Sequence, residues 1–181
     1  GISPRALRAA DASGKARQAA RRRFRLQVVN DNAQLARRSD IVILAVKPQQ
    51  FREVLPQLAP ALTRRQLVIT IAAGITLRWL TARLPGIPLV RVMPNLPATV
   101  GCGFSALVRG RTATARHLAL AREIFGAVGE TVELPERYFN AITAVSGSGP
   151  AYLFFLVHAW EAAAKALGLP PSVAARAIRQ T

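Results

Sequence analysis

Short apolar runs alternate with segments of helical periodicity through the first three quarters of the chain. The clearest runs are "IVILAV" (41–46), "LVITI" (67–71) and "LVRVM" (89–93). Continuous runs of this kind are typical of strands whose two sheet faces are both covered. Because helical segments separate them, the pattern predicts an α/β domain with a parallel sheet. Further strands are predicted at 6–10, 26–29, 104–108 and 130–134, and helices at 14–24, 31–38, 51–58, 76–84 and 114–127, with Thr76 as an N-cap.

The pattern changes near residue 136 and is helical from there onward. The segments are "RYFNAITAV" (137–145), "AYLFFLVHAWEAAAKALG" (151–168) and "PSVAARAIRQT" (171–181). A glycine followed by two prolines marks the stop and restart between the last two helices. We therefore predict an α/β domain over residues 1–135, followed by an all-helical domain over residues 136–181.

The composition is that of a globular protein with a basic surface, since 51% of the residues are hydrophobic and the formal net charge is +16. A basic surface favours anionic partners. Apart from "RRR" (21–23), however, the arginines are scattered, and no aromatic residues interleave with that cluster as they do in a platform for single-stranded nucleic acid. We therefore predict no nucleic-acid partner.

No apolar stretch reaches the roughly 18 residues that a membrane-spanning helix needs. The nearest, residues 151–160, continues into Glu161 and Lys165, which predicts a buried helix and no membrane partner. Cys102 is the only cysteine, so a disulfide framework is excluded, and no group of histidines and carboxylates has the spacing of metal ligands. A cytoplasmic protein without a metal is the expectation.

Three predicted strands end in unusual segments: "AVKP" (45–48), "IAAG" (71–74) and "RVMPNLP" (91–97). Ligands bind outside the carboxyl ends of the strands in open parallel sheets, so these segments are expected to line one crevice, with Lys47 at its mouth. A fourth segment, "SGSGP" (146–150), precedes an apolar helix, where free N–H groups and two hydroxyls suit a carboxylate or a phosphate. Each segment also has a purely structural interpretation: a solvated lysine, a tight turn, a rigid proline-rich connection and a close-packed helix start.

In their order and spacing, "DIVILAVKPQ", "VITIAAGIT", "VRVMPNLPATVGCG" and "AVSGSGPAYLFF" resemble pyrroline-5-carboxylate reductases, and the resemblance covers nearly the whole chain. It implies that residues 1–135 are a Rossmann-type dinucleotide-binding domain, and that residues 136–181 begin a helical domain that forms a homodimer or a higher homo-oligomer. The implied reaction reduces the imine of 1-pyrroline-5-carboxylate to L-proline, the last step of proline biosynthesis. The implied cofactor is NADPH, with NADH as the alternative.

The same resemblance implies two groups of site residues and no catalytic side chain. The cofactor-binding residues would be Ala12, Ser13, Asn32, Ala45, Val46, Lys47, Pro48, Ile71, Ala72 and Ala73. The substrate-binding residues would be Met93, Pro94, Asn95, Ser146, Gly147, Ser148 and Gly149. In this arrangement the protein mainly holds the imine carbon against the nicotinamide and stabilises the carboxylate of the substrate.

The chain departs from the family pattern at both ends. It lacks the first strand with its Gly-rich pyrophosphate loop, and the later serine-proline-glycine-glycine-threonine segment. We therefore expect a chain that is truncated at both ends and inactive as it stands. Leu96 replaces a common threonine. Ala12 replaces a residue that is more polar in many members, so the preference between NADPH and NADH stays open. The alternatives are a non-catalytic remnant that only dimerises or binds a ligand, and another NAD(P)-dependent reductase such as a 3-hydroxyacid dehydrogenase.

Overall fold

The computed structural model describes residues 3–181, which form an α/β unit followed by a helical segment. The strands are β1 (Arg8–Ala10), β2 (Gln27–Val29), β3 (Ile41–Leu44), β4 (Leu67–Thr70), β5 (Leu89–Met93), β6 (Gly103–Arg109) and β7 (Gly129–Glu133). The α-helices are α1 (Gly14–Phe24), α2 (Asn32–Arg37), α3 (Phe51–Leu58), α4 (Leu77–Thr81), α5 (Ala115–Gly126), α6 (Phe139–Ile142), α7 (Gly149–Ala166) and α8 (Pro171–Gln180).

Five strands form one sheet in the order β3-β4-β5-β6-β7. Strands β3, β4 and β5 are parallel, since a crossover containing α3 or α4 joins each to the next. Strand β6 runs antiparallel to β5, which differs at this one strand pair from the parallel sheet that we predicted. The reason is the connection between them: it holds only a short 3₁₀ turn, Leu96–Val100, which Gly101 closes at a φ of 78°, and no crossover helix.

Strands β1 and β2 form a separate parallel pair, with no ladder to the five-stranded sheet in the described part of the chain. Helix α2 connects the pair to the larger sheet. The Arg8 guanidinium donates to the carbonyl of Arg38 at 3.0 Å, and the buried Gln66 side chain donates to the carbonyls of Ala36 and Ser39 at 2.5 and 2.7 Å. These side chains therefore satisfy backbone carbonyls at the end of α2.

The sheet is covered by helices on two sides, and its buried strands alternate their side chains between them. In β4, Val68 packs into a cluster with α3 and α4, whereas Leu67 and Ile69 pack into a second cluster with α5. Strand β3 differs from the prediction of two covered faces, because Ile43 remains 42% exposed. Strand β3 lies at the edge of the five-stranded sheet, so fewer elements are available to cover it.

A buried arginine attaches the helical segment to the sheet. Arg91 lies in the apolar strand β5, and its Nη1 donates to Oε1 of Glu136 at 2.8 Å. The guanidinium carbon lies 4.7 Å from the centre of the Phe139 ring, and Phe139 is itself buried. Glu136 also accepts a hydrogen bond from the backbone N–H of Leu77, the first residue of α4, at 2.7 Å. One carboxylate therefore joins β5, α4 and the start of the helical segment.

Helix α7 does not have the buried position that its apolar sequence predicts. Its large apolar side chains are exposed, with Phe155 at 76% and Leu153 at 64%. The helical stretch Glu136–Ala166 is long and apolar enough to cross a membrane by length and composition alone. The prediction of a buried helix is therefore wrong for the single chain, and the apolar side chains of α7 remain available for another surface.

We expect Glu136→Gln to destabilise the full-length protein by about 1–3 kcal/mol, because it removes the charge opposite a buried guanidinium. The estimate lies below the usual range for buried pairs because the Glu136 side chain is 30% exposed and glutamine still accepts hydrogen bonds. Denaturant unfolding measures the loss. The control is Glu133→Gln, whose partner Arg122 lies at 3.4 Å in an exposed pair and which should cost less than about 0.5 kcal/mol. Equal losses for the two variants would contradict this role of Glu136.

Candidate active site

The carboxyl ends of three parallel strands, β3, β4 and β5, lie side by side. Leu44 in β3 is level with Thr70 in β4, and Thr70 is level with Arg91 in β5. The segments that follow these strands therefore leave the sheet side by side. This confirms the predicted convergence of 45–48, 71–74 and the end of β5 at the position where open α/β sheets bind ligands.

The first of these segments is held by a tight backbone turn. The N–H of Lys47 donates to Oε1 of Gln50 at 3.1 Å, and the N–H of Gln50 donates to the carbonyl of Lys47 at 2.9 Å. Pro48 then begins a 3₁₀ turn that leads into α3. Ala45 and Lys47 are exposed, and Val46 and Pro48 are half-buried. The turn fixes the backbone, while the lysine side chain is in contact with solvent.

The second segment is a turn of small residues. The N–H of Ala72 donates to the hydroxyl of buried Thr70 at 3.3 Å, and Gly74 has a φ of 76°, in the left-handed region that suits glycine. Ala73 is exposed, Ile71 is half-buried, and the predicted N-cap Thr76 accepts from the N–H of Trp79 at 3.2 Å. Small side chains in this position let a flat ring approach the backbone closely.

The predicted cofactor-binding residues Ala12, Ser13 and Asn32 follow the separate strand pair. Ala12 and Ser13 follow β1, and Asn32 opens α2 after β2. Since Ala10 pairs with Val29, the two connections begin at the same level. The Ser13 hydroxyl caps α1 by accepting from the N–H of Ala16 at 3.3 Å, so part of its hydrogen-bonding capacity is already used.

Four of the predicted substrate-binding residues, Met93, Asn95, Ser146 and Gly147, come together between β5 and the helical segment. Oδ1 of Asn95 accepts from the backbone N–H of Phe104 at 2.8 Å, and its Nδ2 donates to Oγ of Ser146 at 3.0 Å. A Cβ atom built on Gly147 would lie 3.0 Å from Cε of Met93, so the helical backbone is close to the end of β5 here. Residues separated by some fifty positions in sequence thus form one surface.

The stretch Thr143–Gly147 is a single π-helical turn that continues directly from α6 into α7. The N–H of Ser148 donates to the carbonyl of Thr143 at 2.8 Å. The predicted helix start at the "SGSGP" segment agrees with α7, which begins at Gly149, but the chain is already helical before it and the N–H of Ser148 is bonded, so the N–H groups here are not all free as we predicted. Single π-turns inside α-helices are frequent at functional sites.

Sequence reasoning missed the residues that hold this surface in place, above all Arg91 and Glu136. A signal was present: an arginine inside the apolar run "LVRVM" needs a buried partner. The backbone N–H of Phe104 could not be found this way, because a backbone donor leaves no mark in the sequence. No cluster of three or more histidine, cysteine or carboxylate side chains suits a metal ion among residues 3–181.

The sheet with converging strand ends and the helical segment attached to its central strand, together with the family matches, place the chain in the class of NAD(P)-dependent oxidoreductases with a Rossmann-like domain and a helical second domain. Residues 4–74 match the family model described as NADP oxidoreductase coenzyme F420-dependent. Residues 136–181 match the model described as pyrroline-5-carboxylate reductase dimerisation. The chain belongs to the pyrroline-5-carboxylate reductase family.

Curated relatives and solved structures support this assignment over almost the whole chain. Pyrroline-5-carboxylate reductases of Synechocystis and Pseudomonas aeruginosa are 37% and 40% identical, covering 99% and 100% of this chain and 67% of each relative. The Coxiella burnetii enzyme structure has a TM-score of 0.86 at 33% identity, covering 99% of this chain and 68% of that one. A Plasmodium falciparum pyrroline carboxylate reductase with NADP bound has a TM-score of 0.88 at 28% identity, covering 99% and 66%.

These matches confirm the predicted family, the fold class and the assignment to the NADP oxidoreductases. The chain spans about two thirds of the length of the relatives it matches. The residue-level assignments and the division at residues 135 and 136 stay predictions.

Proposed function

We propose that the full-length protein reduces 1-pyrroline-5-carboxylate to L-proline, with NADPH as the cofactor and NADH as the alternative. The observation that carries the proposal is the 37–40% identity to curated pyrroline-5-carboxylate reductases over essentially all of this chain. In the reaction, a hydride passes from the reduced nicotinamide to the imine carbon, and the nitrogen carries a proton in the amine product.

The exposed strand ends support a cofactor site along this edge of the sheet. The small side chains of the 71–74 turn suit contact with the nicotinamide, and the fixed turn after β3, which includes the exposed Lys47, suits contact with the nicotinamide ribose. We assign the nicotinamide end to Ala45, Val46, Lys47, Pro48, Ile71, Ala72 and Ala73. We assign the adenosine end to Ala12, Ser13 and Asn32.

The surface between β5 and the π-helical turn supports a substrate site. It lies at the end of β5, beside the strand ends assigned to the nicotinamide, so a bound imine would be near the hydride donor. We assign it to Met93, Pro94, Asn95, Ser146, Gly147, Ser148 and Gly149. Proximity of the two reactants is the main catalytic contribution expected of these residues.

The match to a dimerisation domain supports a homo-oligomer, and we propose that the apolar side chains of α7 form a homodimer surface. Leu153 and Phe155 are largely exposed in the single chain, and the other large apolar side chains between 152 and 160 are exposed as well. A neighbouring open hollow of about 330 Å³ is lined by Leu134, Tyr138, Ala141, Ile142 and Val145. An apolar surface of this extent favours a protein partner. The absence of nucleic-acid and membrane partners and the cytoplasmic location stay predictions.

We expect the full-length protein to oxidise NADPH when 1-pyrroline-5-carboxylate is added, with a turnover in the usual enzymic range of about 1–1,000 per second. Loss of the reduced-nicotinamide absorbance measures the rate. The matched control is 1-pyrroline, which keeps the imine but lacks the carboxylate and should have a much lower kcat/KM. A folded full-length protein that turns over neither compound with NADPH or NADH would contradict the proposed function.

We expect Phe155→Glu to weaken the homodimer at least about tenfold, because it places a charge in an apolar interface. Light scattering across a dilution series measures the dissociation. Phe24→Glu is the matched control, since Phe24 is also an exposed phenylalanine, at 55%, but lies at the end of α1. A wild-type monomer at micromolar concentration, or equal dissociation of both variants, would contradict the assignment of α7.

A further inference from the structure

The orientation of the Asn95 amide is determined by a backbone group. A backbone N–H can only donate, so the Asn95 atom that faces Phe104 N at 2.8 Å must be the carbonyl oxygen. The NH₂ end of the amide therefore faces Ser146, at 3.0 Å from Oγ. The assignment of the two amide ends follows from chemistry, because reversing them would oppose two donors.

This orientation determines what the Ser146 hydroxyl can still do. A serine hydroxyl has one proton to donate and two lone pairs that accept. The Asn95 amide occupies one lone pair, and since that amide end is itself a donor, the Ser146 proton cannot point back at it. Among the side-chain hydrogen bonds of residues 3–181, the Ser146 hydroxyl does not donate to any protein group. The hydroxyl is left as a donor.

Ser146 lies in the π-helical turn, which packs against the end of β5 within the proposed substrate site. The substrate offers two kinds of acceptor, the imine nitrogen and the carboxylate. The form that accepts a hydride most readily is the protonated imine, whose nitrogen already carries a hydrogen and cannot accept a hydrogen bond. In that form the carboxylate is the group that remains as an acceptor.

Resting on the proposed function, we propose that Ser146 donates a hydrogen bond to the substrate carboxylate, and that Asn95 is a positioning residue that keeps the hydroxyl in this donor role. The N–H of Phe104 determines the orientation of the Asn95 amide, and the amide leaves the Ser146 hydroxyl as a donor. A hydroxyl in this role favours an anionic acceptor. In this role Asn95 acts through Ser146.

The first test compares two substrates in Ser146→Ala. If the hydroxyl binds the carboxylate, kcat/KM for 1-pyrroline-5-carboxylate should fall about 10- to 100-fold, the size expected for a hydrogen bond to a charged group. The kcat/KM for 1-pyrroline, which has no carboxylate, should stay within about twofold of the wild-type value. The ratio of kcat/KM for 1-pyrroline-5-carboxylate to kcat/KM for 1-pyrroline should therefore fall. An unchanged ratio would overturn the assignment of Ser146.

The control for general damage to the turn is Thr143→Val. Thr143 lies in the same π-helical turn, and its hydroxyl donates to the carbonyl of Phe139 at 2.7 Å, within the helix. Loss of this bond should lower the melting temperature but affect both substrates equally. If Thr143→Val changes the ratio as Ser146→Ala does, the effect belongs to the turn and the proposal fails.

The second test reverses the hydrogen bond. In Asn95→Asp, one carboxylate oxygen can still accept from Phe104 N–H, while the other accepts the Ser146 proton and removes it from the substrate. The melting temperature should stay near that of the wild type, whereas Asn95→Ala, which leaves Phe104 N–H without a partner, should lower it by about 2–4 °C. The ratio of kcat/KM between the two substrates should fall in both Asn95 variants.

The melting temperatures test the hydrogen bonds even if the wild type reduces neither substrate, in which case the proposed function fails by itself. Asn95→Asp as unstable as Asn95→Ala would overturn the assigned orientation of the amide. An active Asn95→Asp enzyme with an unchanged substrate ratio would overturn the positioning role of Asn95.

Discussion

The structure depends on one face of strand β5. Arg91, Met93 and Asn95 are two residues apart and therefore point to the same side of the strand and its extension. In order along the strand, they contact Glu136 with Phe139, then Gly147, and then Ser146. The ion pair fixes the start of the helical segment against β5. The van der Waals contact limits how closely the segment approaches the strand, and the hydrogen bond fixes its orientation. Moving this segment by a single turn would break all three contacts, leaving a buried guanidinium without its carboxylate.

The same strand connects the two halves of the proposed reaction. Its end lies beside the ends of β3 and β4, which carry the residues assigned to the cofactor, while its side chains hold the π-helical turn assigned to the substrate. Hydride transfer requires the donor and acceptor atoms to be held together closely. A site that is built across two segments gains this closeness only if the segments are rigidly attached, and β5 provides the attachment. The helical segment also carries the exposed apolar side chains of α7, which we assigned to a homodimer surface.

The sequence was most informative where local rules decide the structure. The predicted helix at 14–24 and strand at 89–93 have the predicted bounds, and Thr76 caps α4, because periodicity and capping depend on neighbouring residues. Predictions failed where distant parts of the chain decide. The direction of β6 depends on the connection from Met93 to Gly103, and the burial of α7 depends on a surface beyond the single chain. The site was predictable as a set of motifs, but the hydrogen bond between Asn95 and Ser146 depends on a backbone donor of β6 that no motif records.

The central claim is that close contact between β5 and the π-helical turn sets the reaction rate, and Gly147→Ala tests it most directly. The added methyl would lie 3.0 Å from Cε of Met93, so the turn or the methionine has to move by a few tenths of an ångström. We predict that kcat/KM for 1-pyrroline-5-carboxylate falls at least about tenfold, because small misplacements of reacting groups are costly. Gly126→Ala is the matched control: it is a helical glycine with nothing within 4 Å of the added atom, and it should leave kcat/KM unchanged. Equal kcat/KM values for the two folded variants would contradict the account.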